Sequence, residues 1–587
     1  MSMNNRPQTG GLTPLSKIII VMLVLAIGYF GYNYMTKGGG GAGGGDATQF
    51  KKVDMSKISS EAADTKGITT VQEYKYVPQE KLPQLDNSMV SSYKKLDKKD
   101  PVIEFPINVW IGWLPIIAAN HGYKPNTESY FYKKYGFKVN ITLIDDPVSA
   151  RDAFASGKSH VLWGTLDMMA LFAPTLVADP RTSPRVCQIV DWSNGGDGIV
   201  VRDSIKSVAD LKGKTIVYAQ NSPSQYYVNN LLLTSGVQPN EVTHKFTDSP
   251  FSAATAFVAS TGKKEQIDAV VSWAPDIYSI SEKVPGTRLL STTQDANKVI
   301  ADVWAVRADF ERDNPKIVKG LVEGIFAGMD MLKDEAYKKQ ACKWLGDLYG
   351  YDVNQVKDML ADAHSTNFAE NQEFFLNANN PSNFERTWKN INFVYRELGL
   401  IDSPVPFDRV MDFTYIKALK AEGKFKDHKD TYSTPNFAPS SFSKVKAESP
   451  IITQTIRINF YPNSWNILEP AHDEAGQPIK DSLYDPSAPA SIEKAARLAG
   501  QFGSSRIAIV GHSDSSKKGQ VREESVKTLS LNRAKAVKDM LVKNYKFDPN
   551  KFVVEGMGWD QPFDPANPYD QTKNRRVEIM VYQLEEQ

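Results

Sequence analysis

The first strong pattern in the chain is an unbroken apolar run. Between Lys17 and Lys37 no residue is charged, and Ile18 to Tyr32 is dominated by Ile, Val, Leu, Met and aromatic side chains. As a helix the uncharged stretch spans roughly 28 Å, close to a bilayer's hydrocarbon core, which predicts one transmembrane anchor over residues 18–36 behind a cytoplasmic tail of residues 1–17. A cleaved secretory signal is the other reading, because Arg6 and Lys17 precede the run, but the run exceeds the usual signal core. Both readings send the remainder across a membrane. Gly38 to Gly45 is all glycine except Ala42, a composition that behaves as a flexible coil. Polar, Lys-rich sequence follows without sustained periodicity, so residues 37–100 read as a linker with at most one docked segment.

From Pro101 short apolar runs alternate with amphipathic stretches, the texture of an α/β layer fold. Strands are expected over Ile107–Ile111, Val139–Ile144, His160–Gly164, Val186–Val190, Gly198–Val201, Thr215–Tyr218, Ala269–Ser272 and Val303–Arg307. Helices are expected between them, among them Pro147–Ser156, Gln225–Ser235 and Ser252–Ser260. This domain spans residues 101–427. A Lys-, Ser-, Pro- and Asp-rich linker follows over 428–450, and a second, mixed α/β domain runs over 451–587. In the latter, strands are expected at Ile452–Phe460, Arg506–Gly511, Lys551–Glu555 and Arg576–Tyr582, with helices at Ser491–Phe502 and Leu529–Lys543.

Composition narrows the function classes. The 587 residues carry 69 Lys+Arg against 68 Asp+Glu, so no global charge draws the chain to nucleic acid. Two cysteines, Cys187 and Cys342, exclude a disulfide framework and a four-thiolate metal site. Gly213-Lys214-Thr215 ends like a phosphate loop, but Val208 stands where its first glycine belongs and a strand follows. The seven histidines are scattered, and no Gly-x-Ser-x-Gly nucleophile turn occurs. The expectation is a binding protein, not an enzyme, with no cofactor and no metal.

In open α/β sheets, ligands sit beyond the carboxyl ends of strands. The segments there are Trp110-Ile111-Gly112-Trp113, Trp163-Gly164-Thr165-Leu166-Asp167, Asp191 to Asp197, Asn221-Ser222-Pro223-Ser224-Gln225 and Ser272-Trp273-Ala274-Pro275-Asp276. They hold five of the ten tryptophans, so the aromatic residues gather where a ligand would sit. With Asp210-Leu211-Lys212-Gly213-Lys214-Thr215 before a strand, their order resembles a periplasmic solute-binding protein of the two-lobed class that includes sulfonate, nitrate and thiamine-precursor binders, the substrate-binding components of ABC transporters. The resemblance covers about Val102 to Asp427. It implies two lobes joined by crossovers near Asp191–Gly198 and Asp302–Arg307, hinge closure on a small solute, and cleft residues Trp113, Thr165, Asp191, Ser222, Ser224 and Trp273. Thr165 and Ser222 to Ser224 at helix starts suit an anion. Trp faces beside Asp167, Asp191, Asp197 and Asp276 suit a cationic amine. The sequence leaves both open.

In the last domain Gly511-His512-Ser513-Asp514-Ser515, Leu529-Ser530-Leu531-Asn532-Arg533-Ala534, Gly556-Met557-Gly558 and Asn574-Arg575-Arg576-Val577-Glu578-Ile579 occur in order. These blocks resemble the peptidoglycan-binding domain of the OmpA family, shared with MotB-type stator proteins. The resemblance implies that Asp514 meets the ammonium, and Arg533 the carboxylate, of diaminopimelate in the stem peptide, with Asn574 and Arg576 supporting the pocket. A paired anion and cation suit a zwitterion, and Arg grips carboxylate in a bidentate fork. The structural alternative is that Asp514 and Arg533 pair with each other.

Together these readings predict a single-pass inner-membrane protein with its bulk in the periplasm, binding peptidoglycan and a small solute and serving a permease or a sensor. The competing reading is a structural or stator-like tether beside a channel-like subunit, its central lobes acting as an interaction module. Stators carry a carboxylate in the membrane helix, and Ile18 to Thr36 holds none.

Overall fold

Val102-Ile103-Glu104-Phe105-Pro106-Ile107 places Ile103, Phe105 and Ile107 in the core, the period-2 alternation of a strand. In the computed structural model, which describes residues 76–78, 80–432, 437–446 and 449–583, this is strand β1, Val102–Ile107. It lies a few residues before the Ile107–Ile111 run, which instead leads into a 3-10 turn over Ile111–Trp113. The expected anchor over 18–36 and the Gly-rich tether lie outside the described residues. Among the described residues no helix is long and apolar enough to cross a membrane.

The first lobe pairs β1 in parallel with β2 (Lys138–Leu143). Beside them runs a four-stranded sheet in the order β11-β4-β10-β3, from Ala363–Ser365, Pro184–Ser193, Ala301–Arg307 and Val161–Thr165. Strands β3 and β10 are buried along their whole length, as befits a sheet covered on both faces. The second lobe is a five-stranded sheet in the order β7-β6-β8-β5-β9. Its strands are Thr243–Thr247, Thr215–Ala219, Ala269–Trp273, Asp197–Arg202 and Thr287–Thr292. Helices α1 (Pro147–Ala155), α2 (Leu166–Leu176), α3 (Pro223–Thr234) and α4 (Pro250–Ala259) match the expected helical runs where those were drawn.

The chain passes between lobes twice, at residues 194–196 and at 293–300. The first crossing lies where expected. The second does not: Asp302 to Val306 pair with Thr165 to Val161 of β3, so that segment is ladder and the crossing lies just before it. Helix α5, Phe384–Glu397, packs on α2 of the first lobe and on α3 of the second, with Asn390 donating to Tyr226 and Asn230.

The segment read as linker before residue 101 is docked in its described part. Val77 bridges Phe246 on the second lobe's edge strand, and the backbone N–H of Glu80 donates to Gln220. Further on, Ser91 N–H donates to Ala155 O and Lys94 N–H to Gly157 O in the first lobe. One strap thus touches both lobes.

The last domain forms a four-stranded sheet in the order β12-β17-β15-β16, from Ile452–Ile456, Val577–Val581, Ile507–His512 and Phe552–Gly558. An exposed hairpin, β13 (Pro470–His472) with β14 (Pro478–Leu483), precedes β15. The 428–450 stretch is not all linker: a short helix, α6 (Phe442–Val445), packs Phe442 and Val445 on Ala508, Val510 and Val553. Helices α7 (Ala488–Gln501) and α8 (Glu523–Tyr545) follow, and α8 lies on β15 and β16.

This domain does not swing free of the lobes. Lys298 N–H donates to Gln501 O, Asn297 Nδ2 donates to Ser504 Oγ at 2.7 Å, and Gly503 N–H donates to Asn297 Oδ1 at 2.9 Å. Val208 N–H donates to Ile451 O, and Arg386 pairs with Glu493 at 3.0 Å. The Gly500 position is pressed against Ser382 and Pro381. Asn297 and Lys298 lie in the second inter-lobe crossing.

Candidate functional site

A cavity of about 100 Å³ lies between the lobes. The first lobe supplies Asn108, Trp110, Asp145, Trp163, Thr165 and Asp302; the second supplies Asp197, Asn221, Ser222 and Trp273. Register explains the grouping, because Asp302 on β10 stands opposite both Thr165 on β3 and Asp191 on β4, so three polar residues share one end of one sheet.

Of the expected cleft residues, Thr165, Ser222 and Trp273 line this cavity. Thr165 Oγ1 caps α2 by accepting Met168 N–H, and Ser222 Oγ donates to Ala219 O. Asp191 stands behind the wall, accepting Trp110 Nε1–H at 3.0 Å. Ser224 is wholly buried in the first turn of α3 and is not among the lining residues. Trp113 is also absent from the lining. Its ring is 1% exposed, meets Phe105 edge-on at 6.0 Å and donates Nε1–H to Asn108. It is a core anchor, turned inward by the 3-10 turn that leaves Trp110 at the cavity. Gly112 sits between the two with Asp191 so close that any Cβ would overlap its carboxylate. Sequence reasoning passed over Trp110, Trp163 and Asp302 as cleft residues, although the first two stand in the segments it singled out.

Burial dominates the electrostatics. It pushes Asp197 up to about 7, with Asp167 and Asp362 adding to the rise and Ser193 opposing it. Burial and then the Asp191 charge push Asp302 well up. Burial also raises Asp191, while hydrogen bonds from Trp110 and Asp302 pull the other way. Both carboxyls are thus held above the usual carboxylate range by burial, and Asp302 further by the charge of Asp191. Asp167, which accepts Tyr395 O–H at 3.0 Å, is raised by burial to about 6.

The second site lies in the last domain. Gly511 on β15 and Gly556 on β16 leave no room for a Cβ beneath the α8 backbone at Ser530 and Lys527, so α8 seats directly on the sheet and brings Arg533 toward the β15 end. Asp514 pairs there with Arg575, Nε to Oδ2 at 2.6 Å, and accepts Ser516 N–H at 2.9 Å. Burial pushes the Asp514 carboxyl up, but Ser516 and Arg575 more than offset it and hold it below the usual carboxylate range. Arg533 makes no bond to Asp514. It donates Nε–H to Ser464 O at 3.0 Å and lies 4.6 Å above the Phe460 ring. Burial, then Arg575, lowers it to about 10, so it stays charged near neutrality.

Among the described residues, the terminal nitrogens of Arg533 have no hydrogen-bond partner. Asn574 is wholly buried and braces the preceding loop, accepting Phe563 N–H and donating to Asn567 O and Asp570 O. Arg576 is engaged by Glu578 at 2.7 Å and by Gln561 O. Its neighbour Arg575, which the sequence reading did not assign, is the one that meets Asp514.

Two family models match the chain: "NMT1/THI5 like" over residues 125–336 and "OmpA family" over 478–576. The taurine-binding periplasmic protein of Escherichia coli is 26% identical over 200 residues, 33% of this chain and 58% of that protein. Outer membrane protein Omp38 of Acinetobacter baumannii is 34% identical over 100 residues, 17% of this chain and 26% of that protein. The crystal structure of the periplasmic aliphatic sulphonate binding protein SsuA from Escherichia coli aligns with a TM-score of 0.40 and 15% identity, over 58% of this chain and 98% of that one. The chain spans 58% of the length of the binding proteins it matches first. It carries an NMT1/THI5-like solute-binding-protein domain followed by a C-terminal OmpA domain.

Proposed function

We propose that the chain is a wall-tethered solute receptor, anchored in the inner membrane by residues 18–36 with its bulk in the periplasm, that presents a bound solute to an ABC-type permease or a sensor. The inter-lobe cavity is the receptor site, and the OmpA domain is the tether. The observation that carries the tether is the free end of the Arg533 guanidinium beside the Asp514–Arg575 pair. A stem-peptide amino acid offers a carboxylate for the first and an ammonium for the carboxylate of the second. Neither role involves bond making, so the protein acts by binding.

Full-length protein in detergent, mixed with purified sacculi and sedimented, tests the tether. Wild type should sediment with the wall, whereas Asp514→Asn and Arg533→Ala should each stay in the supernatant while keeping their circular dichroism. Sedimentation of both variants would remove the assignment.

A further inference from the structure

Three tryptophans and three aspartates line the inter-lobe cavity, Trp110, Trp163, Trp273, Asp145, Asp197 and Asp302, and no Lys, Arg or His is among the lining residues. Relatives of the first domain include one named for taurine, yet this wall offers no cationic side chain to a free anion. Apart from the Trp273 indole N–H, the donors an anion would need at the helix starts are spent or missing. Ser222 Oγ–H donates to Ala219 O, and Pro223, at the first position of α3, has no N–H to give. Met168 N–H at the start of α2 already points at Thr165 Oγ1.

What faces the cavity unspent is two acceptors and one donor, the Trp273 indole N–H. Asp197 is 4% exposed and its Oδ1 has no hydrogen-bond partner, and Asn221 Oδ1 is likewise buried and unpartnered. The Trp273 indole N–H lies close enough to Asp197 to lower the pKa of its carboxyl, although the contact falls outside hydrogen-bond geometry. Asp197 Oδ2 accepts Ser193 Oγ–H at 2.7 Å, but a buried carboxylate oxygen left without a partner is costly unless a ligand completes it, and aromatic faces add attraction for a cation. Among the described residues no set of three carboxylate, imidazole or thiolate side chains converges as a metal site, so the missing charge is better supplied by an organic ion than by a metal.

We infer that the inter-lobe cavity takes a small organic cation, a primary or methylated amine whose nitrogen sits between Asp197 and Asp302 under the tryptophan faces. This rests on the receptor reading above and names its solute class. The cavity volume of about 100 Å³ restricts the ligand to a compact molecule.

The test is calorimetric titration and thermal melting of the full chain in detergent with ethanolamine, propylamine and choline on one side and taurine, ethanesulfonate and nitrate on the other, repeated with Asp197→Asn and Asp302→Asn. The expected result is binding by at least one amine, weakened about 10- to 100-fold in Asp197→Asn, as for loss of a hydrogen bond to a charged group. Ethanesulfonate and nitrate should leave the melting curve unmoved. If either anion binds, and binds as well or better to Asp197→Asn, the cation assignment is overturned while the receptor reading stands. If no compound on either side shifts the melting curve, the cation assignment falls and the receptor reading falls with it. Asp302→Asn keeps the shape of the side chain and removes its capacity to carry charge: unchanged melting with weakened amine binding supports the assignment.

Discussion

At the scale of single residues the cleft crowds carboxyl groups whose ionisation burial disfavours. Asp197 faces Asp167 from α2, Asp191 from β4, Asp302 from β10, the carboxyl of Asp362, and the phenols of Tyr227 and Tyr278. Its folded pKa of about 7 lies above the ordinary value of an unfolded Asp. Between those two values the native state holds a proton that the unfolded chain has lost, so this group's contribution to stability falls as pH rises through the window. The melting temperature of the unliganded protein should therefore drop from pH 5.5 to pH 8, and Asp197→Asn should flatten that drop. A cation stabilises the ionised carboxylate, so amine affinity should climb over the same interval, with proton release visible as a buffer-dependent heat. Trp113 gives the contrasting case: Trp113→Ala should cost about 3–5 kcal/mol of stability as a core truncation and leave no direct ligand contact missing. Trp110→Ala should do the reverse, with ligand affinity the larger loss.

At the scale of elements, the tightest constraint is the seating of α8 on its sheet. A Cβ at Gly511 would lie 2.0 Å from Ser530 O, and backbone on both sides leaves nothing flexible to yield. Gly511→Ala should destabilise the protein by about 1–3 kcal/mol through forced displacement and should weaken sacculus sedimentation, although residue 511 touches no ligand. The measurement is denaturant unfolding alongside the sedimentation assay. Elements were legible in sequence where burial was two-sided: β3, β4, β5, β8 and β10 each hold a buried apolar stretch and were located within a few residues. Strand β7, Thr-His-Lys-Phe-Thr, was missed because its outer half is exposed on a sheet edge. The hairpin β13–β14 was missed because most of its strand positions are exposed and carry no apolar period. The choice between Trp110 and Trp113 hung on a single 3-10 turn, which periodicity does not encode. The motif singled out Asp514 and Arg533, but the pairing of Asp514 with Arg575 follows from how the chain leaves the preceding short helix, Gln571–Asn574.

At the scale of the whole molecule, the C-terminal OmpA domain grips the inter-lobe crossing. Asn297 both donates to Ser504 and accepts from Gly503, and it lies in the segment 293–300 that any relative motion of the lobes must flex. Lys298 adds a backbone bond to Gln501 O, and Arg386 beside α5 reaches Glu493 on α7. A ligand that shifts the lobes must therefore also shift the platform carrying Asp514 and Arg533, and by linkage the effect runs in both directions with the same factor. Solute at saturation should change the affinity for soluble stem-peptide fragments on the order of fivefold or more, and the fragment should change solute affinity equally. Asn297→Ala removes the side-chain half of the grip without touching either ligand site. In that variant both intrinsic affinities should persist while the coupling shrinks toward one. Equal coupling in wild type and variant would show that the crossing does not transmit the signal, and the strap of residues 76–100, which also touches both lobes, would become the next element to cut.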